Sequence, residues 1–331
     1  MTFGTRLTRR GALSFLAAGV AAPLLPASAQ AARLETLALF GPPAGPSVTL
    51  AHAVASGGFS GVAGEAIFTA WRNPDELRAG LTSGKIGLSV VPVQAAANLY
   101  NRGFPIRLAN VMTNGLLYVI SEDKSVSAVA DLKGHSIAVP FRGDTPEIIF
   151  AQLLAHNGLE PGKDLEITYA GTPIEAMQLL LSGRVETALT AEPSTTAGIL
   201  RGRKAGKPVS RVIDLQKAWG EMTGAAAVVP QAGLAVTQGF MDASGDLLPD
   251  ILSVLQTATS EVLQNPAEAA KEATEALGLP APLLAASIPH CNLVARPANE
   301  ARNDIERMLN AMAGEGMKRI GGKLPDDGFY L

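Results

Sequence analysis

Two hydrophobic periods alternate along this chain: short aliphatic runs bounded by Gly or Pro, and longer stretches whose apolar residues recur at helical spacing. The first run predicts a strand over 35–40, broken by Gly41-Pro42-Pro43-Ala44-Gly45-Pro46, with Ser47 as the N-cap of a helix to 55. A strand over 66–71 follows, then Asn73-Pro74 as cap and first-turn proline of a helix ending at Gly84, the expected left-handed position. Next come a strand over 86–91, a helix over 94–101 and a strand over 106–112. Residues 114–122 read as a crossing and 129–132 as a helical turn. The series then recurs: strand 136–139, a helix from Thr145-Pro146-Glu147 to Asn157-Gly158, strand 165–169, a helix from Thr172-Pro173 to 182, strand 185–190, helix 194–202 and strand 209–214. Runs at 225–229 and 233–237 read as returning strands. The remainder reads as helical at 239–241 into 247–264, 266–277, 281–288 and 299–313, and these helices are expected to pack on the first half.

The recurrence has a fixed offset. Residues 76–91 and 175–190 carry the same text: a helix opening on Glu, then Ser83-Gly84-Lys85-Ile86 in one copy and Ser182-Gly183-Arg184-Val185 in the other. The same offset carries Ala38-Leu39-Phe40 onto Ile137-Ala138-Val139. A period this long is not that of a solenoid, whose units run about 20 to 50 residues, and it predicts two similar α/β lobes with a cleft between them. The lobes are drawn as 33–115 plus 226–331, and 116–225.

The first 29 residues stand apart from this pattern. Arg6, Arg9 and Arg10 precede an apolar stretch over 12–25 and Ala27-Ser28-Ala29, which reads as an export signal cleaved near Ala29. Thr8-Arg9-Arg10-Gly11 with Leu13 resembles a twin-arginine (Tat) signal, with Ala12 where that pattern prefers Phe; a Sec signal leads to the same compartment. Cleavage removes three basic and no acidic residues and takes the formal charge from −3 to −6. No other segment is long and apolar enough to predict a membrane span, so a soluble, monomeric periplasmic protein is expected. Scattered basic residues and 5% aromatic content offer no footprint for nucleic acid. Cys291 is the single cysteine, and it and His290 share no ligand spacing with His52, His135 or His156, so neither a metal nor a cofactor is expected.

Ligands of open α/β sheets bind beyond the carboxyl ends of the strands, where helix N-termini converge. The repeat therefore selects four loops, 41–47, 91–94, 140–145 and 190–195. The first loop, with Gly41, Pro42 and Ser47 as its candidate contacts, offers backbone N–H groups from its non-proline residues and the Ser47 hydroxyl at a helix start, which suits an anionic oxygen or serves as a rigid connector. Val91, Pro92 and Gln94 line the second loop. In the third, Arg142 can pair with a sulfonate or carboxylate or with Asp144, Phe141 can stack on a ligand or pack inward, and Thr145 is read as a helix cap. Glu192 can meet a ligand amine or ring N–H, or tie the hinge by a hydrogen bond. Asn114, at the crossing, serves as hinge or ligand contact. No catalytic residue is assigned.

Asp131-Leu132-Lys133-Gly134, the run 137–139, Asn157-Gly158-Leu159, the helix over 176–183, Ala188 to Glu192-Pro193, and the closing Leu324-Pro325-Asp326-Asp327 with Phe329-Tyr330 come in a recognisable order. In these the chain resembles the nitrate/sulfonate/taurine and thiamine-pyrimidine (NMT1-like) branch of periplasmic ABC-transporter substrate-binding proteins. The chain departs from that pattern at Leu189-Thr190-Ala191, where many relatives carry an aromatic residue, and in its proline-rich first loop. The resemblance implies a two-lobed, type II Venus-flytrap fold whose lobes close on a small-molecule ligand and whose closed form is read by an ABC permease and its ATPase. Hinges then fall near 114–117 and 223–226. A sulfonate or carboxylate is expected ahead of a heterocycle such as a pyrimidine. Two other classes compete: a pyrimidine or cofactor-biosynthetic enzyme on the same fold, which the single Cys and four scattered His disfavour, and a periplasmic sensor subunit.

Overall fold

The computed structural model describes residues 1–2 and 34–331; the export-signal and Tat readings, which rest on residues up to 29, lie outside the described residues. From residue 34 the chain builds two sheets, each with helices packed on it. The first sheet contains β1 (Leu34–Gly41), β2 (Ala63–Ala70), β3 (Leu88–Pro92), β4 (Ile106–Leu108), β5 (Asn110–Thr113), β11 (Ala232–Thr237) and β12 (Leu293–Pro297), in the order β12-β5-β11-β3-β1-β2 with β4 also on β11. The second contains β6 (Leu117–Ser121), β7 (Ser136–Pro140), β8 (Glu166–Ala170), β9 (Thr187–Ala191) and β10 (Ser210–Asp214), ordered β10-β6-β9-β7-β8. In each, a parallel trio is joined by one antiparallel strand that enters from the crossing: β11 beside β3, and β6 beside β9.

Helices α1 (Gly45–Ala55), α2 (Pro74–Thr82) and α3 (Val93–Asn101) connect the first sheet. The second carries α4 (Thr145–His156), α5 (Pro173–Leu181), α6 (Ser194–Lys204) and α7 (Leu215–Thr223). After β11 come α8 (Gln238–Ser244), α9 (Leu248–Gln264), α10 (Pro266–Leu277), α11 (Ala281–Ser287) and, past β12, α12 (Ala298–Met312). The internal repeat is structural: α2 and α5, and β3 and β9, fall at the same offset, and Gly84 and Gly183 both end their helices with positive φ, 74° and 73°. Asn73 accepts from the N–H groups of Asp75 and Glu76, and Thr172 from that of Glu175, as their cap positions predict.

Three readings are corrected. The run 106–112 divides at Ala109, so β4 and β5 lie at different places along β11. Residues 117–121 of the expected crossing form β6, which confines the crossing itself to residues 114–116. The expected strand over 225–229 is irregular chain: Ala225 N–H donates back to Gly220 O at 3.0 Å and Val229 N–H to Asn114 O at 2.9 Å, and of the run only Val229 is buried, with Ala226 and Ala227 exposed. Helix α7 and edge strand β12 were not anticipated. Helices α9 and α10 pack on α1, while α12 packs on α4 and α11 on α6. One hydrophobic core thus continues from Ile305 and Met308 of α12 to Ile148 and Ile149 of α4 and Trp219 of α7.

Candidate functional site

The register places all four predicted loops on the sheet edges that the crossing joins. β1 runs parallel to β3 and both end at helix starts, as do β7 and β9. The antiparallel strands begin at those same edges: Ala232 of β11 is opposite Pro92, and Leu117 of β6 is opposite Ala191.

In the first lobe the chain leaves β1 at Gly41, where any Cβ would strike the Ser47 Oγ. Pro42 is half-buried, and its carbonyl accepts from Ala44 N–H at 2.8 Å, tightening the turn into α1. Ala44, not Ser47, is the N-cap; Ser47 lies inside the first turn because Pro46 can occupy a helix start without losing a hydrogen bond. Its side chain is wholly buried, and Oγ has no hydrogen-bond partner among the described residues. Trp71, just beyond β2, donates from its backbone N–H to Gly41 O and from Nε1 to Ser89 Oγ at 3.1 Å, bracing the loop from the side. The sequence reading holds Trp71 only as the last residue of the strand over 66–71 and not as a site residue, although a place at a strand's carboxyl end was a usable signal. Val91 is buried, Pro92 caps α3, and Gln94 turns away to donate to the Arg319 carbonyl.

The third loop is unlike its counterpart. Phe141 is 40% exposed and adopts φ 55°, a left-handed conformation strained for an aromatic residue. Arg142 extends over the Tyr169 ring, 4.5 Å from its centroid, and has no ion-pair partner among the described residues. Asp144 instead caps α4, accepting from Thr145 N–H at 2.7 Å, so Thr145 is the first helical residue rather than the cap. Thr145 is 3% exposed, and its Oγ1, like the Ser47 hydroxyl, lacks a partner.

Glu192 is buried with both oxygens engaged. Oε1 accepts from Arg211 Nε at 3.0 Å and from Nη2, while Oε2 accepts from Thr196 N–H at 3.2 Å and Oγ1 at 2.8 Å. Its N–H donates to Leu116 O at 3.0 Å, so the fourth loop is anchored in the crossing. Arg211 lies over the Tyr118 ring at 5.4 Å and is a partner that sequence reading did not find. Burial, then the charges of Asp214 and Glu192, push the Tyr118 hydroxyl pKa up, which keeps it a proton donor. Asn114 is held through its backbone, N–H to Asn292 O and O from Val229 N–H, both at 2.9 Å. A cavity of about 570 Å³ beside the crossing is lined by Tyr118, Arg211, Asp214, Lys217 and His290 among others; none of the four loops contributes to its wall. Among the described residues no group of three or more His, Cys, Asp or Glu could hold a metal ion, and no helix is long and apolar enough to cross a membrane.

Residues 53–278 match the NMT1-like family over more than half of the sequence. The chain belongs to the NMT1-like family. No curated protein matches it. Solved structures share this NMT1-like chain's architecture at low identity. An ABC transporter structure from Parabacteroides distasonis is 23% identical, with 91% of this chain and 99% of that one covered at a TM-score of 0.73. The periplasmic aliphatic sulphonate binding protein of Escherichia coli is 17% identical, with coverages of 88% and 92% and a TM-score of 0.65. The alkanesulfonate-binding protein of Xanthomonas axonopodis pv. citri, solved bound to MOPS, is 17% identical, with coverages of 89% and 96% and a TM-score of 0.60. These likenesses bear out the two-lobed periplasmic-binding-protein fold for the NMT1-like chain.

Proposed function

We propose that this NMT1-like protein is the solute-binding component of an ABC importer, clasping a small organic anion of the sulfonate or carboxylate class between its lobes. The observation that carries the reading is the pair of buried, unpartnered hydroxyls, Ser47 and Thr145, in the first turns of the helices that follow β1 and β7. A buried hydroxyl without a partner costs about 1–3 kcal/mol, a cost that a bound oxyanion accepting from it removes. Arg142, the one cation on the four loops and free of any carboxylate among the described residues, supports the sign of that ligand. The binding-protein names of the structural neighbours support the role.

The moving bodies are taken as 33–115 with 226–331, and 116–225, turning about residues 114–117 and 223–226. The exported monomer hands its ligand to a permease with its ATPase in the periplasm. It performs no turnover. Thermal shift and calorimetry on the mature protein with sulfonates, carboxylates, nitrate and pyrimidines test this. The expected result is saturable stabilisation by a sulfonate or carboxylate, unaltered on recovery. Stabilisation by a neutral pyrimidine alone defeats the anion assignment, and conversion of any of these compounds defeats the binding-protein reading.

A further inference from the structure

We infer that the turn His290–Asn292 is a strap across the crossing and that Tyr118 is the positioning residue that fastens it, setting the angle between the lobes and through it the affinity of the cleft; the affinity half rests on the ligand-clasping reading above. Three successive carbonyls of the turn each accept a bond from the crossing region. Tyr118 Oη donates to His290 O at 2.9 Å, Thr113 Oγ1 to Cys291 O at 2.6 Å, and Asn114 N–H to Asn292 O at 2.9 Å. Asn292 has φ 43°, a conformation that Asn tolerates better than most residues, and its side-chain amide donates to Gly115 O at 2.8 Å. The amide thereby continues the β12–β5 ladder past its last backbone pair, Leu293 with Thr113.

Of these four bonds, only that of Tyr118 joins a strand of one sheet to the lead-in of a strand of the other. β6 belongs to the second sheet, whereas the turn leads into β12 of the first. The Tyr118 ring is fixed from both sides. The His290 ring stands edge-on at 6.3 Å and 85°, and the Arg211 guanidinium lies over it while holding Glu192 of the fourth loop. Glu192 N–H also bonds Leu116 O within the crossing. A shift of the fourth loop on ligand binding therefore moves Arg211 against the ring that carries the strap's bond. Packing alone would need the ring but not its hydroxyl, and this difference makes the inference testable.

Tyr118→Phe keeps the ring and removes only the hydroxyl; Asn292→Asp keeps tolerance of positive φ and removes the amide donor. Spin labels at Thr257→Cys on α9 and Gln178→Cys on α5, both exposed, report the distance between lobes in the ligand-free full mature chain, and buried Cys291 leaves the labelling specific. Both variants are expected to lengthen or broaden that distance distribution while melting within a few degrees of the parent. The Kd for the best anion of the panel is expected to rise roughly two- to tenfold, because a smaller fraction of molecules is competent to bind. Unchanged distributions in both folded variants overturn the strap. A lengthened distribution with unchanged Kd overturns its link to affinity. If one variant fails to fold, the other decides. The distance readout needs no ligand, so a failed importer assignment cannot be mistaken for a failed strap.

Discussion

Ser47 and Thr145 are small residues in costly positions, since each buries a hydroxyl that has no hydrogen-bond partner among the described residues. If that cost serves binding and not folding, Ser47→Ala leaves unfolding free energy within about 0.5 kcal/mol of the parent, or higher. The affinity for the preferred anion meanwhile falls about three- to tenfold. Denaturant melts and calorimetry on the same preparation check both halves; a large loss of stability with intact affinity would make the hydroxyl structural. Arg142 is exposed and stacked on Tyr169, so Arg142→Ala costs little in stability. It is expected to weaken anion binding by at least ~10-fold, the loss of one charge-assisted contact of about 1.5–3 kcal/mol. Unchanged affinity would place Arg142 among the surface loop charges. The sequence could name these residues because they lie at strand ends, which the repeat locates. It could not name their partners. Arg211 reaches Glu192 from a different strand, and Trp71 braces Gly41 only because β2 runs beside β1. Such pairings are decided by register.

Among the elements, α12 carries the best-defined charge network. Asp304 accepts from Arg296 Nη2 at 2.6 Å and from Arg307 Nη1 at 2.7 Å. Burial alone would raise the Asp304 pKa, but the two guanidinium groups outweigh it and hold the carboxyl below its usual value. A carboxylate with a depressed pKa in the folded state contributes stability that is fully present above its unfolded pKa of about 3.9 and is lost as pH falls through the folded value. Asp304→Asn should therefore lower stability by about 1–2 kcal/mol at neutral pH. It should also flatten the decline of stability below about pH 4, which urea titrations at pH 7 and pH 3 would reveal. Element-level legibility followed local chemistry. Caps at Asn73 and Thr172 and the glycine ends at Gly84 and Gly183 were readable because each acts within one turn. β12 was not readable, since a short edge strand exists only through its partner β5. Helix α7 has apolar residues at Leu215, Ala218, Trp219 and Met222, a helical spacing that covers only nine residues before the left-handed Gly224 ends the helix.

For the whole molecule the repeat was the strongest signal, because the two copies keep one offset through helix and strand alike, α2 with α5 and β3 with β9, and each copy lies in its own sheet. The sequence did not show how unequally the two sheets are assembled. Every strand of the second sheet comes from one continuous stretch, β6 to β10, whereas the first needs β11 in its middle, paired antiparallel with β3 and β5. A fragment of residues 116–225 is therefore expected to show native-like far-UV dichroism and a cooperative melt by itself, and 34–115 is not, because β3 and β5 then have nothing between them. Failure of the first fragment would mean that the α4 face covered by α12 is indispensable.

The placement of β11 also sets an order in time. On the ribosome the second sheet can be completed as soon as β10 has emerged, while the first half of the earlier sheet is still waiting for two strands made much later. The part of the chain synthesised first is thus the last to finish folding, and in the interval its unpaired β3 and β5 edges are the surfaces a chaperone would have to shield.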